Sequence, residues 1–135
     1  MTAPVWITEQ DALAIHERLI SLHGGASGIR DRNLLNDRNL LKSALTRPLN
    51  FFAYDQQPDN SLLTASYTSG ILQNHPFVDG NKLTGFVIGV LFLELNGYRF
   101  TASEEDSTQA VFSLAEGSLD ELGFRLFIED NSIAP

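Results

Sequence analysis

The sequence predicts an all-α protein, a compact bundle of about six helices around one buried central helix. Apolar residues recur at helical spacing in successive segments separated by Gly, Pro, Asn and Asp clusters. Hydroxyl or amide residues that can cap a helix stand where those segments should start, at Thr8, Asn60 or Ser61, Ser103 and Ser118. Phe86 to Leu95 is apolar nearly all round with Glu94 its only charge, as in a helix enclosed by others, and is expected to be the buried centre. Tyr98-Arg99-Phe100 reads as extended but is too short to build a sheet, and is expected to return the chain across the core.

The elements can be justified in order. After a short apolar lead-in with Pro4 and Trp6, Thr8-Glu9-Gln10-Asp11 forms a cap with acidic residues in the first turn. Ala12, Ile15, Leu19 and Leu22 follow at helical spacing, and Gly24-Gly25 ends the helix. His16 and His23 lie two turns apart on it and read as partly exposed histidines rather than half of a metal site, since no second ligand pair follows. Asp31-Arg32-Asn33-Leu34-Leu35-Asn36 is then repeated almost unchanged as Asp37-Arg38-Asn39-Leu40-Leu41-Lys42. A six-residue shift turns a helix by about 240°, so the two Leu-Leu pairs cannot share one face and one copy must sit in a loop or an extra turn. Ser43-Ala44-Leu45-Thr46-Arg47-Pro48 follows, Pro48 is expected to close that helix, and Leu49 to Asn60 reads as a polar and aromatic connection.

The next helix carries Leu62, Leu63, Ala65, Tyr67, Ile71 and Leu72 and delivers the chain to His75. Beyond Phe86 to Leu95, whose Gly85 and Gly89 allow close approach of neighbours, Asn96-Gly97 is a stop. A helix from Ser103 to about Gly117 is expected to turn Val111, Phe112, Leu114 and Ala115 inward. Ser118-Leu119-Asp120-Glu121 has capping-box spacing and opens a last helix with Leu122, Leu126 and Phe127, after which Glu129 to Pro135 is expected to fray.

The chain has 135 residues, enough for one domain that buries about two thirds of its unfolded surface. Its net charge of −8 argues against recognition of a phosphate backbone, so no nucleic-acid partner is expected. There is no cysteine, no apolar run of spanning length and no leader-like start, so a cytoplasmic protein without a membrane partner is expected.

The chemistry concentrates in His75-Pro76-Phe77-Val78-Asp79-Gly80-Asn81-Lys82. Pro76 disfavours helix at His75, which therefore ends the preceding helix and sits on a loop. Histidine, with an unperturbed pKa of about 6.5, can take a proton from a hydroxyl near neutral pH. Asp79 offers a carboxylate for Mg²⁺ bridging phosphate oxygens. Gly80 allows close backbone approach, and the amides of Asn81, Lys82 and the residues that follow open a helix whose N-terminus attracts anions. Each residue alone has an ordinary explanation in turn or helix-start chemistry. Their coincidence with a glycine-flanked buried helix is much more specific.

This string resembles the signature of the Fic/Doc family, His-x-Phe-x-(Asp/Glu)-Gly-Asn-(Gly/Lys)-Arg, and most closely its Doc (death-on-curing) branch, which carries lysine after the asparagine. Thr8 to Gly25, Gly28-Ile29-Arg30-Asp31 and Leu91-Phe92-Leu93 with Asn96-Gly97 are also similar to Doc landmarks, so the resemblance implies one Fic/Doc domain over residues 1–135. It implies a general base at His75, a magnesium-linked carboxylate at Asp79, a phosphate cradle at Gly80, Asn81 and Lys82, and a core anchor at Phe77. Fic-type members transfer AMP from ATP to a hydroxyl, whereas Doc-type members are kinases that phosphorylate a threonine of elongation factor Tu and are neutralised by a Phd-like antitoxin. The implied co-substrate is ATP or another nucleoside triphosphate, with Mg²⁺.

The departures from the pattern are specific. Leu83 stands where the motif has arginine, Phe86 where many Fic enzymes have a second, and Gln73 where several relatives carry another. Leucine cannot make the charge-assisted phosphate contacts of a guanidinium, a loss of about 1.5–3 kcal/mol, or one to two decades in rate or binding. The expectation is a Doc-like toxin with weakened catalysis on an intact scaffold. The alternatives are a Fic-type AMP transferase, which Lys82 disfavours, and an inactive member that acts only by binding. Thr101 to Glu105 approaches the inhibitory helix motif of self-restrained Fic proteins but is followed by Asp106, so control is expected from a separate antitoxin.

Overall fold

The computed structural model describes residues 3–30, 39–56 and 58–135. In chain order the described elements are α1 (Glu9–His23), α2 (Asn39–Tyr54), α3 (Asn60–Asn74), α4 (Asn81–Leu95), β1 (Arg99–Phe100), α5 (Glu104–Glu116), α6 (Glu121–Asp130) and β2 (Ser132–Ile133). The bundle is all-α, and its centre is α3, which touches α2, α4, α5 and α6.

That centre is not the helix that hydropathy selects. Every residue of α3 from Leu62 to Ile71 is buried, whereas α4 leaves Lys82, Leu83, Glu94 and Leu95 exposed. Size decides this. Thr64, Ala65, Ser66, Thr68, Ser69 and Gly70 are small enough for neighbours to close on every side of α3. α4 packs against it through its own glycines. A Cβ on Gly85 would lie 3.2 Å from Ile71, one on Gly89 would lie 3.1 Å from the Thr64 carbonyl, and the Thr68 hydroxyl donates to the Gly85 carbonyl at 2.8 Å.

α1 starts as expected. The Thr8 hydroxyl accepts from the Asp11 N–H at 3.1 Å while the Asp11 carboxylate accepts from the Thr8 N–H at 3.0 Å, and Gly24 closes the helix on the Ile20 carbonyl. α2 differs, because it runs straight through Pro48 to Tyr54. The proline cannot donate to the Ala44 carbonyl, and that oxygen faces α3 at Gly70, where a Cβ would stand 3.1 Å away. Beyond the proline, Phe51 and Phe52 pack on the core that contains Leu41, Tyr67 and Phe92. Both rings are partly buried there, and the apolar area they remove from water acts against the cost of a helical proline, about 3 kcal/mol. The second tandem copy supplies the start of α2, with Leu41 fully buried, while the first copy lies outside the described residues.

At the C-terminal end the helices are where the sequence places them, and Val111, Leu114 and Phe127 face the core as expected, but other residues of those expected faces do not. α5 buries Ser107, Ala110 and Val111 and leaves Phe112 and Ala115 exposed; α6 buries Phe124 and Ile128 and exposes Leu122 and Leu126. The cap of α6 is Asp120 rather than Ser118, its carboxylate accepting from the Gly123 N–H at 2.7 Å. The final residues are not frayed, because Ser132–Ile133 pairs antiparallel with Arg99–Phe100. Among the described residues no helix is long and apolar enough to cross a membrane.

Candidate active site

The motif loop joins the two most intimately packed helices, α3 and α4. α3 ends at Asn74, and His75 follows as its C-cap at φ 51°, ψ 56°, the only non-glycine residue at positive φ among the described residues. The left-handed turn costs a residue with a Cβ roughly 1–2 kcal/mol, and Pro76 adds its own pressure toward extended backbone. Hydrogen bonds offset this. His75 N–H donates to the Ile71 carbonyl at 2.9 Å, and the Arg30 guanidinium donates to the His75 carbonyl at 2.7 Å and to the Asn74 carbonyl at 3.1 Å. The two guanidinium bonds lie at the surface, where solvent weakens them, but together with the Ile71 bond they act against the cost of the turn. The imidazole of His75 stands exposed.

A short antiparallel clasp grips the loop from the other side. Arg30 N–H donates to the Pro76 carbonyl at 2.8 Å and Val78 N–H to the Gly28 carbonyl at 3.0 Å, which pairs Ile29 with Phe77. Phe77 is fully buried, and Asn81 fixes it further. The Asn81 amide accepts from the Phe77 N–H at 3.0 Å and donates to the Phe77 carbonyl at 2.9 Å, leaving that side chain 4% exposed and turned inward. Asn81 therefore offers the outside its backbone N–H alone.

His16 lies beneath the loop. Its ring stacks on Phe77 at 3.9 Å and 6°, and its Nε2 is 2.8 Å from the Asp79 carbonyl. A carbonyl can only accept, so Nε2 carries the proton. The expectation of a partly exposed histidine is wrong for His16, which is 2% exposed; it follows Ala12 by four residues, and that shared face was the available signal.

Asp79 reaches the surface with its carboxylate already oriented. Oδ1 accepts from the Gly80 N–H at 2.9 Å and Oδ2 from the Ala26 N–H at 3.3 Å. Gly25 makes room for it, since a Cβ there would stand 2.8 Å from Oδ2. Gly80, at φ 77°, then turns the chain into α4. Whereas α1, α3, α5 and α6 each begin under a side-chain cap, α4 has no side-chain cap bond. Its first intrahelical bond runs from Thr84 N–H to the Gly80 carbonyl at 2.9 Å, so the amides of Asn81, Lys82 and Leu83 have no acceptor in the preceding turn.

Lys82 and Leu83 lie on the outer side of that first turn. The Lys82 ammonium sits 5.5 Å from the centre of the Phe112 ring of α5. Both residues line a groove of about 490 Å³ between α4 and α5, whose other walls include Phe86, Val90, Phe100 and Val111. Leu83 and Phe86, two of the three positions of missing arginine, thus face one apolar groove. Gln73 is exposed near the end of α3, its amide donating to the Ser69 hydroxyl at 3.2 Å.

A buried central helix, an α3–α4 loop with exposed histidine and carboxylate, and an uncapped helix start define the class. The chain belongs to the Fic/DOC family, whose sequence profile matches residues 6–93. It is 28% identical over 99 residues to the "Protein kinase doc" of Escherichia phage P1, an alignment that covers 73% of this chain and 74% of that one.

Proposed function

We propose that this chain is a Doc-type protein kinase toxin, weakened at one phosphate contact, which moves the γ-phosphate of ATP or another nucleoside triphosphate to a protein hydroxyl. The observation that carries this reading is the uncapped start of α4 beside the exposed Asp79 carboxylate: free amides of Asn81, Lys82 and Leu83 form an anion site next to a hard-oxygen metal ligand. Each Asp79 oxygen accepts one backbone N–H and keeps a further lone pair, which fits Mg²⁺ held jointly with phosphate oxygens. When bound, that ion neutralises the phosphate charge that develops during transfer.

His75 takes the proton of the acceptor hydroxyl as its oxygen bonds to the γ-phosphorus, while the bond from that phosphorus to the departing nucleoside diphosphate breaks. A positioned base of this kind contributes about 10²–10⁴ in rate. Phosphoryl transfer otherwise asks mainly for positioning and charge neutralisation, so loss of the arginine at 83 slows the reaction rather than changing its type. The similarity to the phage kinase favours phosphate over AMP transfer, and the Doc resemblance of the motif implies elongation factor Tu as substrate and a Phd-like antitoxin as partner. A second reading, a member that only binds, is favoured by the apolar groove that Leu83 and Phe86 line.

Intact-mass analysis of elongation factor Tu after incubation with ATP and Mg²⁺ tests this. The expected result is a slow phosphate increment with the chain as it stands, none with His75→Ala, and an increase of about one to two decades with Leu83→Arg. An adenylate increment would establish the Fic-type reaction instead, and no increment even with Leu83→Arg would leave the binding role.

A further inference from the structure

We propose that Arg30 is the positioning residue for His75: its guanidinium, added to the helix-end bond from His75 N–H to the Ile71 carbonyl, holds the histidine in the left-handed turn that carries the imidazole to the surface. This rests on the reading of His75 as the base. Two local preferences oppose the observed backbone. A Cβ-bearing residue avoids φ 51°, and a residue before proline favours extended conformations.

Arg30 supplies what overrides them. The last carbonyls of a helix lack intrahelical donors, and the Nε and Nη2 atoms of Arg30 reach two of them in sequence, on His75 and Asn74. A planar fork can hold two carbonyls at a fixed separation, whereas a lysine offers one point charge on a flexible stem. The backbone of Arg30 is itself anchored, through its N–H on the Pro76 carbonyl and the neighbouring Gly28 carbonyl under Val78 N–H. Side chain and main chain of one residue therefore grip the loop on both sides of the His75–Pro76 bond. An ordinary cap would contribute stability alone; a positioning residue also fixes the conformation of the residue it serves.

The test uses the full chain, isotope-labelled, as Arg30→Met and Arg30→Lys. The three-bond HN–Hα coupling and backbone shifts of His75 report its φ, and the amides of Phe77 and Asn81 report whether the rest of the loop is intact. In Arg30→Met the His75 signals move to extended values while Phe77 and Asn81 hold, and added methylguanidinium moves them back. A His75 that stays left-handed in Arg30→Met overturns the proposal. Should that variant fail to fold, Arg30→Lys decides by the same signals, because it keeps the charge and loses only the fork. A second readout uses the Leu83→Arg chain acting on elongation factor Tu. There Arg30→Met lowers kcat about ten-fold or more with KM for ATP little changed, and methylguanidinium restores it. A raised KM with unchanged kcat would contradict positioning. Absence of transfer from the Leu83→Arg parent is a failure of the kinase reading alone, and the His75 coupling then decides the role of Arg30.

Discussion

Asn81 applies both ends of its amide to one residue, closing the N–H and the carbonyl of Phe77 in a site with no access to water. Removing it leaves two buried backbone groups without partners, at about 1–3 kcal/mol each. Asn81→Ala is therefore expected to lower stability by roughly 2–6 kcal/mol in urea unfolding, with Asn81→Asp intermediate because it still accepts from Phe77 N–H. The sequence marks Asn81 as a turn residue but not the direction of its side chain, and a family motif lists it beside Gly80 and Lys82 without separating backbone from side-chain duty. The loop placement of His75 and Asp79 was legible because proline and glycine fix the local backbone around them. His16 and Arg30 were not, since their roles exist only once α1 and the segment after it close on a loop more than forty positions away.

At the scale of elements, the start of α3 shows how a cap joins two ends of the chain. Asp59 accepts from Leu62 N–H at 2.8 Å, from the Ser61 hydroxyl at 2.8 Å and from Arg125 of α6 at 2.9 Å. Partial burial pushes its carboxyl up, but these bonds and the Arg125 charge together prevail and hold it below the usual 3.8. A lowered carboxylate pKa stabilises the fold fully above the unfolded value and progressively less as pH falls through the folded one. Acid unfolding should therefore include a step below about pH 4 that Asp59→Ala removes, and that variant should lose about 1–2 kcal/mol at neutral pH. Caps of this kind explain why helix starts at Thr8 and Ser103 could be placed from sequence. The path of α2 through Pro48 could not, because what sustains it is the glycine of another helix and the burial of Phe51 and Phe52. The faces of α5 and α6 were legible only in part, at Val111, Leu114 and Phe127: Phe112, Leu122 and Leu126 are as apolar as the residues that are buried, and packing against neighbouring helices selects between them.

For the molecule as a whole, Tyr67 is the tie between the N-terminal lead-in and the core. It is fully buried on α3, and its hydroxyl accepts from the Ile7 N–H at 3.0 Å. Burial raises its phenol from 10.0 to about 12, the Ile7 contact opposing and the Asp11 charge adding to the shift. The folded state thus favours the protonated form, so its contribution is complete below about pH 10 and is lost as pH rises toward 12. Thermal melts across that range should fall more steeply for the parent chain than for Tyr67→Phe. Six helices and their order were legible from spacing and caps, but which helix sits in the middle was not, since enclosure on all sides rewards small residues as well as apolar ones. That choice of centre bears on when the protein becomes competent. Phe124 and Ile128 of α6 share a buried cluster with Ala65 of α3, and α6 is the last of the described helices in chain order. Until α6 has closed, His75 and Asp79 stand on a loop that follows a helix lacking part of its cover, so the candidate site shares its fate with a helix that touches neither residue.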